Sequence, residues 1–127
     1  MSPTVTIPRR GEVWFVDLEP IRGAEIGKLR TVVVMSADGL ARLPLHIVIP
    51  ITGWRPTFAG YVWFAKLSAT QTNGLSKISG ADAFQIRSLS RERFVKKIGR
   101  LTADQVQELT YRVALCIGMD PDRAQVP

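Results

Sequence analysis

The chain has 127 residues, of which 46% are hydrophobic and 22% charged, so it is long enough for one domain with its own core. Its 17 Lys and Arg outnumber its 11 Asp and Glu, and the resulting formal charge of +6 favours a polyanionic partner. A single cysteine, Cys116, excludes an internal disulfide and leaves no cysteine cluster for zinc. No apolar run approaches the roughly 18 residues that a membrane span needs.

The first half of the chain predicts two strands joined by a charged loop. Gly11–Leu18 alternates and is rich in Val, Trp and Phe, which is typical of a strand. Thr31–Met35 is a short β-branched run, which predicts a strand buried on both faces. Glu19–Arg30 between them carries Pro, Gly, acids and bases, and loops of this length and charge often hold functional residues.

Further elements follow in order from the spacing of apolar and turn residues. The sequence predicts a helical turn in Ser36–Pro44, a strand at Leu45–Thr52, a loop at Gly53–Gly60 with the exposed aromatics Trp54 and Phe58, a strand at Tyr61–Leu67, a polar turn at Ser68–Gly74, one or two strands in Lys77–Leu89 with a bend near Gly80, a helical turn in Ser90–Phe94 and a last strand at Val95–Leu101. Pro50 should place its strand at an edge, a bulge or a strand end.

The C-terminal part predicts an amphipathic helix. Thr102 and Gln105 fit a capping box, and the apolar face would consist of Val106, Leu109, Val113 and Ile117. Gly118 fits the position just beyond the helix end. Cys116 falls in this helical pattern and is expected to be a buried structural thiol. Five to seven short strands with one terminal helix indicate a small, partly open barrel.

A family resemblance sharpens this prediction. The pattern R-G-E-V-W-x-V-D-L-x-P-x-x-G-x-E-x-G-K-x-R from Arg10 to Arg30, followed by V-V-V, resembles the start of the MazF/PemK toxins. The resemblance continues through Val48–Thr52 and Gln85–Leu89 to Ile117–Gly118. It implies an α+β, mainly β fold, an SH3-like partly open β-barrel with a C-terminal α-helix of the CcdB/PemK type. The implied toxin domain is 9–118, with a leader at 1–8 and a tail at 119–127.

The resemblance also implies a set of catalytic residues. Metal-free RNA cleavage needs a base for the 2′-OH, a cation for the phosphate charge and a proton for the leaving 5′-oxygen. Arg30, directly before the second strand, matches the family's catalytic Arg, and Thr52 matches its Thr or Ser at the end of the third strand. Glu25 matches the acid of the G-x-E loop motif, as a base or as a residue that orients Arg30. Read from the residues alone, Arg30 could equally form a loop-to-strand ion pair with Glu25 or Glu19.

Several other residues could contact RNA. Lys28, Gln85 and Arg87 are candidate ligands for phosphates or base edges, and Trp54 or Phe58 could stack on an unpaired base. Loop aromatics also pack onto barrels, so a structural role for these two stays open. His46, the single histidine, is expected to be structural or to face a partner, and its uniqueness excludes a two-histidine mechanism.

Four positions depart from the family pattern. Thr31 replaces the common Pro, while Ala24 and Ile26 replace a Ser and a Gln in the charged loop. Phe84 stands where some members carry an acid before the Q-x-R segment, and its ring cannot take a proton. Asp82 lies two residues earlier and would point to the same side if both residues were in one strand.

These observations predict an endoribonuclease toxin that cleaves single-stranded RNA sequence-specifically and without a metal or other cofactor. The implied partners are a MazE-like antitoxin and a second copy of the chain in a homodimer, and the expected location is the cytoplasm. Two other readings remain. One is a CcdB-like poison that traps DNA gyrase, and the other is an RNA-binding barrel that has lost catalysis.

Overall fold

The computed structural model describes residues 6–18 and 29–119, which form seven strands and one α-helix. The strands are β1 Glu12–Asp17, β2 Leu29–Val34, β3 Leu45–Gly53, β4 Phe64–Leu67, β5 Ser79–Asp82, β6 Arg87–Ser90 and β7 Phe94–Arg100, and the helix is α1 Ala103–Cys116. Single 3₁₀ turns lie at Asp38–Leu40, Pro56–Gly60, Ala83–Gln85 and Arg91–Arg93. None of the helices described is long and apolar enough to cross a membrane.

All strand pairs are antiparallel, in the order β4-β5-β3-β2-β1-β7, and β6 also pairs with β3. The long strand β3 therefore has two partners along one edge, β6 at 45–48 and β5 at 51–53. Pro50 lies between these two segments, inside β3 and not at its end. A residue without an N–H is tolerated there because neither partner pairs with it. The predicted α+β fold with a partly open sheet and a C-terminal helix is confirmed.

Alternation along the central strands creates two cores. The first core lies on the side of the sheet that faces α1 and contains Val13, Val33, Met35, Ile49, Ile51, Ala65, Leu67, Ala81, Ala83, Leu101, Val106 and Leu109. The second core lies on the other side and contains Trp14, Val16, Val32, Val34, Val48 and Leu89. Successive residues of β2 enter opposite cores, which confirms the prediction that this strand is buried on both faces.

The loop between β4 and β5 covers the side of the sheet at β7. Thr72 accepts a backbone hydrogen bond from Arg100 at 3.0 Å. A Cβ on Gly99 would lie 2.4 Å from the backbone of Asn73, and Gly74 has φ +71° with Ile98 O beside it. The loop therefore approaches β7 more closely than residues with side chains at these positions would allow.

The helix follows its predicted pattern at the start and departs from it at the end. Thr102 and Gln105 form the complete capping box, and Gly118 has φ +88° just beyond the helix. Val106 and Leu109 are buried, but Ile117 is 74% exposed and follows the last helical residue. The prediction that Ile117 belongs to the apolar face of the helix was wrong, because the helix ends at Cys116. Cys116 is half-buried against the first core, so it is less enclosed than predicted.

Two predicted boundaries in the second half were also wrong. The fourth strand begins at Phe64, not Tyr61, because residues 61–63 form a turn in which Phe64 N–H donates to Tyr61 O at 3.1 Å. The bend predicted near Gly80 occurs at Ala83–Gln85, where the Asp82 carboxylate accepts the Phe84 N–H at 3.1 Å. Gly80 itself lies within β5, so Lys77–Leu89 holds two strands.

Candidate active site

Arg30 and Thr52 lie opposite each other on neighbouring strands. The β2–β3 pairing runs from Val34–Val48 to Thr31–Ile51, and one further step in this register brings Arg30 opposite Thr52. Directly opposed residues have Cβ atoms roughly 5 Å apart and side chains on the same face of the sheet. Both residues are exposed, while the flanking Val32 is buried in the second core. The two side chains therefore share an open patch at the end of a rigid sheet.

Neighbouring strands extend this patch on both sides. Val16 of β1 pairs with Arg30, and Gly80 of β5 pairs with Thr52. A Cβ on Gly80 would lie 3.1 Å from the Trp54 ring, so this glycine leaves room for the indole beside Thr52. Trp54 directly follows β3, and its indole lies over Gly80 of β5, beside Thr52.

The aromatics Trp54 and Phe58 are half-buried, not exposed as the sequence predicted. Phe58 stacks on Phe64 with ring centroids 3.9 Å apart and an interplanar angle of 12°. Trp54 meets Phe58 edge-on at 5.6 Å and has the Lys66 ammonium 5.3 Å above its ring. These side chains pack against β4 because that edge strand offers an apolar ring for them to cover.

Arg87 lies on the same face as Thr52 but further along the sheet. It pairs with Val48, which is four residues from Thr52 on β3, so the two positions are about 13 Å apart along the strand. Arg87 and Gln85 are both exposed. The structure thus brings together Arg30, Thr52 and Trp54, with Arg87 and Gln85 further along the sheet.

Two of the predicted site residues cannot be placed. Glu25 and Lys28 lie outside the described residues, so their roles stay predictions. The described strands that flank this loop pair Asp17 with Leu29 at the end of the sheet where Arg30 and Thr52 lie. Asp17 and Leu29, which flank the undescribed residues 19–28, therefore lie beside the candidate site.

A small cavity of about 130 Å³ lies below the strand ends, on the face opposite the Arg30 side chain. Thr31, the residue that replaces the family's usual Pro, contributes to its lining together with Lys77 of the β4–β5 loop. A Cβ on Gly53 would lie 3.1 Å from the Lys77 ammonium nitrogen. The Thr31 substitution therefore changes the underside of the site and leaves the face of Arg30 and Thr52 intact.

Sequence reasoning treated Phe84 only as the loss of an acid. Its ring is 63% exposed, next to Trp63 at a centroid distance of 6.1 Å. This exposed ring, beside Gln85, is available for stacking on a base. The sequence feature that could have indicated it is an aromatic residue between the polar residues Asp82 and Gln85. Burial raises the pKa of Asp82, although hydrogen bonds from the Phe84 and Gln85 backbone N–H groups oppose the shift.

His46 is buried, which agrees with the structural role, one of the two roles that the sequence left open. It is 1% exposed, and its Nε2 accepts a hydrogen bond from Arg91 Nε at 3.1 Å. Its ring meets Phe94 edge-on at 5.3 Å. Burial, and secondarily the Arg91 charge, lowers the pKa of His46. Across residues 6–18 and 29–119, no three His, Cys, Asp or Glu side chains cluster in a way that could hold a metal ion.

Comparison with known proteins agrees with this arrangement. Residues 9–117 match the family described as PemK-like, MazF-like toxin of type II toxin–antitoxin system. Endoribonuclease MazF9 of Mycobacterium tuberculosis (strain ATCC 25618 / H37Rv) is 36% identical over 113 residues and covers 84% of this chain and 93% of its own.

Solved structures share the fold. MazF from Deinococcus radiodurans is 25% identical and superposes with a TM-score of 0.70 over 91% of this chain and all of its own. An endoribonuclease from a mycobacterial species, solved in complex with its cognate antitoxin, superposes with a TM-score of 0.68 at 17% identity, over 87% of this chain and 95% of its own. The chain therefore belongs to the family of PemK-like, MazF-like toxins of type II toxin–antitoxin systems.

Proposed function

We propose that this chain is an endoribonuclease toxin that cleaves single-stranded RNA at specific sequences, without a metal ion, and that a MazE-like antitoxin neutralises it in the cytoplasm. The observation that carries the proposal is the position of Arg30 and Thr52, one step beyond the last β2–β3 pair, Thr31 with Ile51. The 36% identical relative named Endoribonuclease MazF9 and the mycobacterial endoribonuclease solved with its antitoxin support it.

The proposed reaction is a transesterification within the RNA. The 2′-oxygen loses its proton and attacks the adjacent phosphorus, the bond from phosphorus to the 5′-oxygen breaks, and the 5′-oxygen takes up a proton. The products are a 2′,3′-cyclic phosphate end and a 5′-hydroxyl end. Extra negative charge develops on the phosphate oxygens in the transition state, so a fixed cation at that position accelerates the reaction.

Arg30 is suited to stabilise this charge. Its guanidinium is planar and permanently cationic, and it can donate two parallel hydrogen bonds to phosphate oxygens. The Thr52 hydroxyl, opposite it, can donate one more hydrogen bond to the same group. Glu25 is the proposed base for the 2′-OH, or the residue that orients Arg30. Trp54, Gln85 and Arg87 can contact base edges or faces only when the bases are unpaired, so we expect a preference for single-stranded RNA.

The test is incubation of the purified protein with a long single-stranded RNA in excess EDTA, followed by mapping of the cut ends. Arg30→Ala and Thr52→Val are the site variants, and Arg42→Ala, at an exposed position on the segment between β2 and β3, is the control. We expect discrete cuts with cyclic-phosphate ends that survive in the control. Arg30→Ala should abolish them, and Thr52→Val should slow them about 100-fold because it removes one hydrogen bond to the transition state.

Other outcomes would contradict parts of the proposal. Cutting that survives Arg30→Ala would mean that the active site lies elsewhere. Binding of RNA without any cutting would indicate a barrel that has lost catalysis. A protein that neither binds nor cuts RNA would be a poison that acts on a protein partner, as the CcdB-like reading predicts.

A further inference from the structure

A second cavity, lined by basic residues, lies at the end of β1 that is remote from Arg30. It has a volume of about 630 Å³, and it is formed by the segment before β1, the end of β7 and the first turns of α1. Gly11 forms part of its wall with φ +89°, and a Cβ there would lie 3.3 Å from Val106. This glycine therefore allows the chain before β1 to pass close to α1, which places Arg9 and Arg10 at the cavity.

Three arginines line this cavity: Arg9, Arg10 and Arg100. The Arg10 guanidinium is held in place because it donates to Met35 O and, at 2.9 Å, to Thr110 Oγ1, both of which are uncharged. Arg9 and Arg100 are exposed. Among the ion pairs of residues 6–18 and 29–119, none involves any of the three. Their positive charge is therefore available to a ligand.

The two acids in the cavity wall offset only part of this charge, because Glu12 is matched by Lys97 and Asp38 alone stands against the three arginines. Glu12 forms an ion pair with Lys97 at 2.9 Å and also accepts the Trp14 indole N–H. Asp38 accepts the backbone N–H of Arg10 at 2.8 Å. Both carboxylates therefore already have donors, while guanidinium groups from two segments of the chain converge on one concave surface. Such convergence favours phosphate, which arginine binds through parallel hydrogen bonds.

The position of the cavity relative to the candidate active site suggests which phosphate it binds. Val16, opposite Arg30, pairs with Phe94 at the start of β7, while Glu12 pairs with Arg100 at its end. Val16 and Glu12 are about 13 Å apart along β1. The exposed Lys96 and Lys97 lie on β7 between these two points. Lys97 is paired with Glu12, whereas Lys96 is in neither of the ion pairs of the described residues, so β7 adds positive charge between the active site and the cavity.

We propose that the Arg9–Arg10–Arg100 cavity binds a backbone phosphate of single-stranded RNA that is near, but is not, the phosphate that is cleaved. This inference rests on the proposed function and adds to it a second RNA contact that is not part of the catalytic pair. The cavity fixes the strand by its charge, and it does not read bases. It therefore makes affinity depend on RNA length and on salt, without altering the chemical step.

The test measures binding of uncleavable 2′-O-methyl RNA in two lengths. The short oligonucleotide covers only the cleavage site, and the long one extends it by several nucleotides on each side. For the wild type we expect tighter binding of the long oligonucleotide. The double variant Arg9→Ala/Arg100→Ala should bind the long one about tenfold more weakly, bind the short one unchanged, and show a shallower dependence of log affinity on log salt by about 1.4 for two lost contacts. The variant Arg42→Ala, which removes one exposed charge remote from both the active site and the cavity, is the control.

Several outcomes would overturn the inference. The inference is wrong if Arg9→Ala/Arg100→Ala still binds the long oligonucleotide more tightly than the short one. It is also wrong if the control loses as much affinity for the long oligonucleotide as this variant does. Loss of antitoxin binding with unchanged RNA binding would make the cavity a protein-binding site instead. The proposed function is tested separately, by cleavage of unmodified RNA. If the wild type cleaves that RNA but Arg9→Ala/Arg100→Ala still binds the long oligonucleotide more tightly than the short one, only this inference is refuted. A wild-type protein that binds neither oligonucleotide would refute both.

Discussion

The shape of the Arg30 side chain, in addition to its charge, should determine the rate of cleavage. Arg30→Lys keeps a positive charge opposite Thr52 but replaces the planar fork with a single ammonium group that cannot donate two parallel hydrogen bonds. We expect kcat to fall about 100-fold, within the range found when one donor to a developing oxyanion is removed, with little change in KM. Steady-state cleavage of a short RNA in EDTA would measure both constants.

An equal rate for Arg30→Lys and the wild type would mean that Arg30 contributes only a general positive potential. A large rise in KM with unchanged kcat would instead assign it to ground-state binding of the substrate. The folded state should be insensitive to the change because Arg30 is exposed. Urea unfolding of the variant serves as the control for that expectation.

At the residue scale, the sequence predicted the positions that a local pattern specifies. Arg30 and Thr52 were found because each stands beside a β-branched strand in a recognisable motif. The partial burial of Trp54 and Phe58 could not be predicted, because it depends on packing against Phe64, six or more residues further along the chain. The Arg9–Arg10–Arg100 cavity was missed for the same reason, since its members are about ninety residues apart in the sequence.

At the scale of elements, one buried asparagine organises the loop that covers β7. Asn73 is 2% exposed, and its Oδ1 accepts the backbone N–H groups of Thr70 and Leu75, both at 3.0 Å. Its Nδ2 donates to Ser68 O at 2.7 Å. Asn73→Ala would leave these backbone groups without their partner, which we expect to lower the free energy of unfolding by about 2–4 kcal/mol.

Urea unfolding of Asn73→Ala beside Thr72→Ala would measure this effect. Thr72 is exposed, and its bond to Arg100 uses the backbone carbonyl, so the control keeps the contact between the loop and β7. Comparable stability of the two variants would show that Asn73 does not organise the loop.

A second element-scale contact joins β3, β6 and β7 through His46. The ring is buried between Arg91 and Phe94, and burial together with the Arg91 charge lowers its pKa below the ordinary value of 6.5. The unfolded chain therefore binds a proton at His46 more readily than the folded chain does. Stability should be fully present above about pH 6.5 and should fall as the pH decreases towards the lowered pKa.

Urea unfolding at pH 7.5 and pH 5.5 would test this dependence. We expect the wild type to lose stability between these values and His46→Gln to lose less, because the glutamine carries no titrating group. An equal decrease in both proteins would assign the pH dependence to another residue. For Glu12, burial raises the pKa, but hydrogen bonds from Lys97, Arg9 and Trp14 outweigh it and lower the value overall, so Glu12 does not account for a loss of stability between these two pH values.

At the scale of the whole molecule, the sequence predicted the class of fold and the order of its elements, but not how the sheet is arranged. The double pairing of β3 was not predictable, because Pro50 suggested an edge or an end and only the positions of β5 and β6 explain its place inside a strand. The contact between the β4–β5 loop and β7 likewise depends on Gly74 and Gly99, which are 25 residues apart. Local patterns determine strands, whereas these features require long-range contacts.

At the same scale, an apolar patch is exposed among residues 6–18 and 29–119. The patch consists of Leu40, Leu43, Leu45 and Ile47, each between 39% and 52% exposed. Several large apolar side chains exposed together on a small domain are typical of an interface. We expect this patch to contribute to the homodimer that the family resemblance implies. Ile47→Lys should therefore weaken the dimer, because it would bury a charge in the interface.

Sedimentation velocity over a range of protein concentrations would test this expectation. The wild type should sediment with twice the mass of the chain, and Ile47→Lys should shift towards the single chain as it is diluted. Val95→Lys is the matched control, because Val95 is 55% exposed on the edge strand β7, outside the patch. If Val95→Lys dissociated the dimer and Ile47→Lys did not, the interface would lie along β7. That result would also place a second chain beside Lys96 and Lys97. The dependence of RNA binding on oligonucleotide length would then have to be measured again on the dimer.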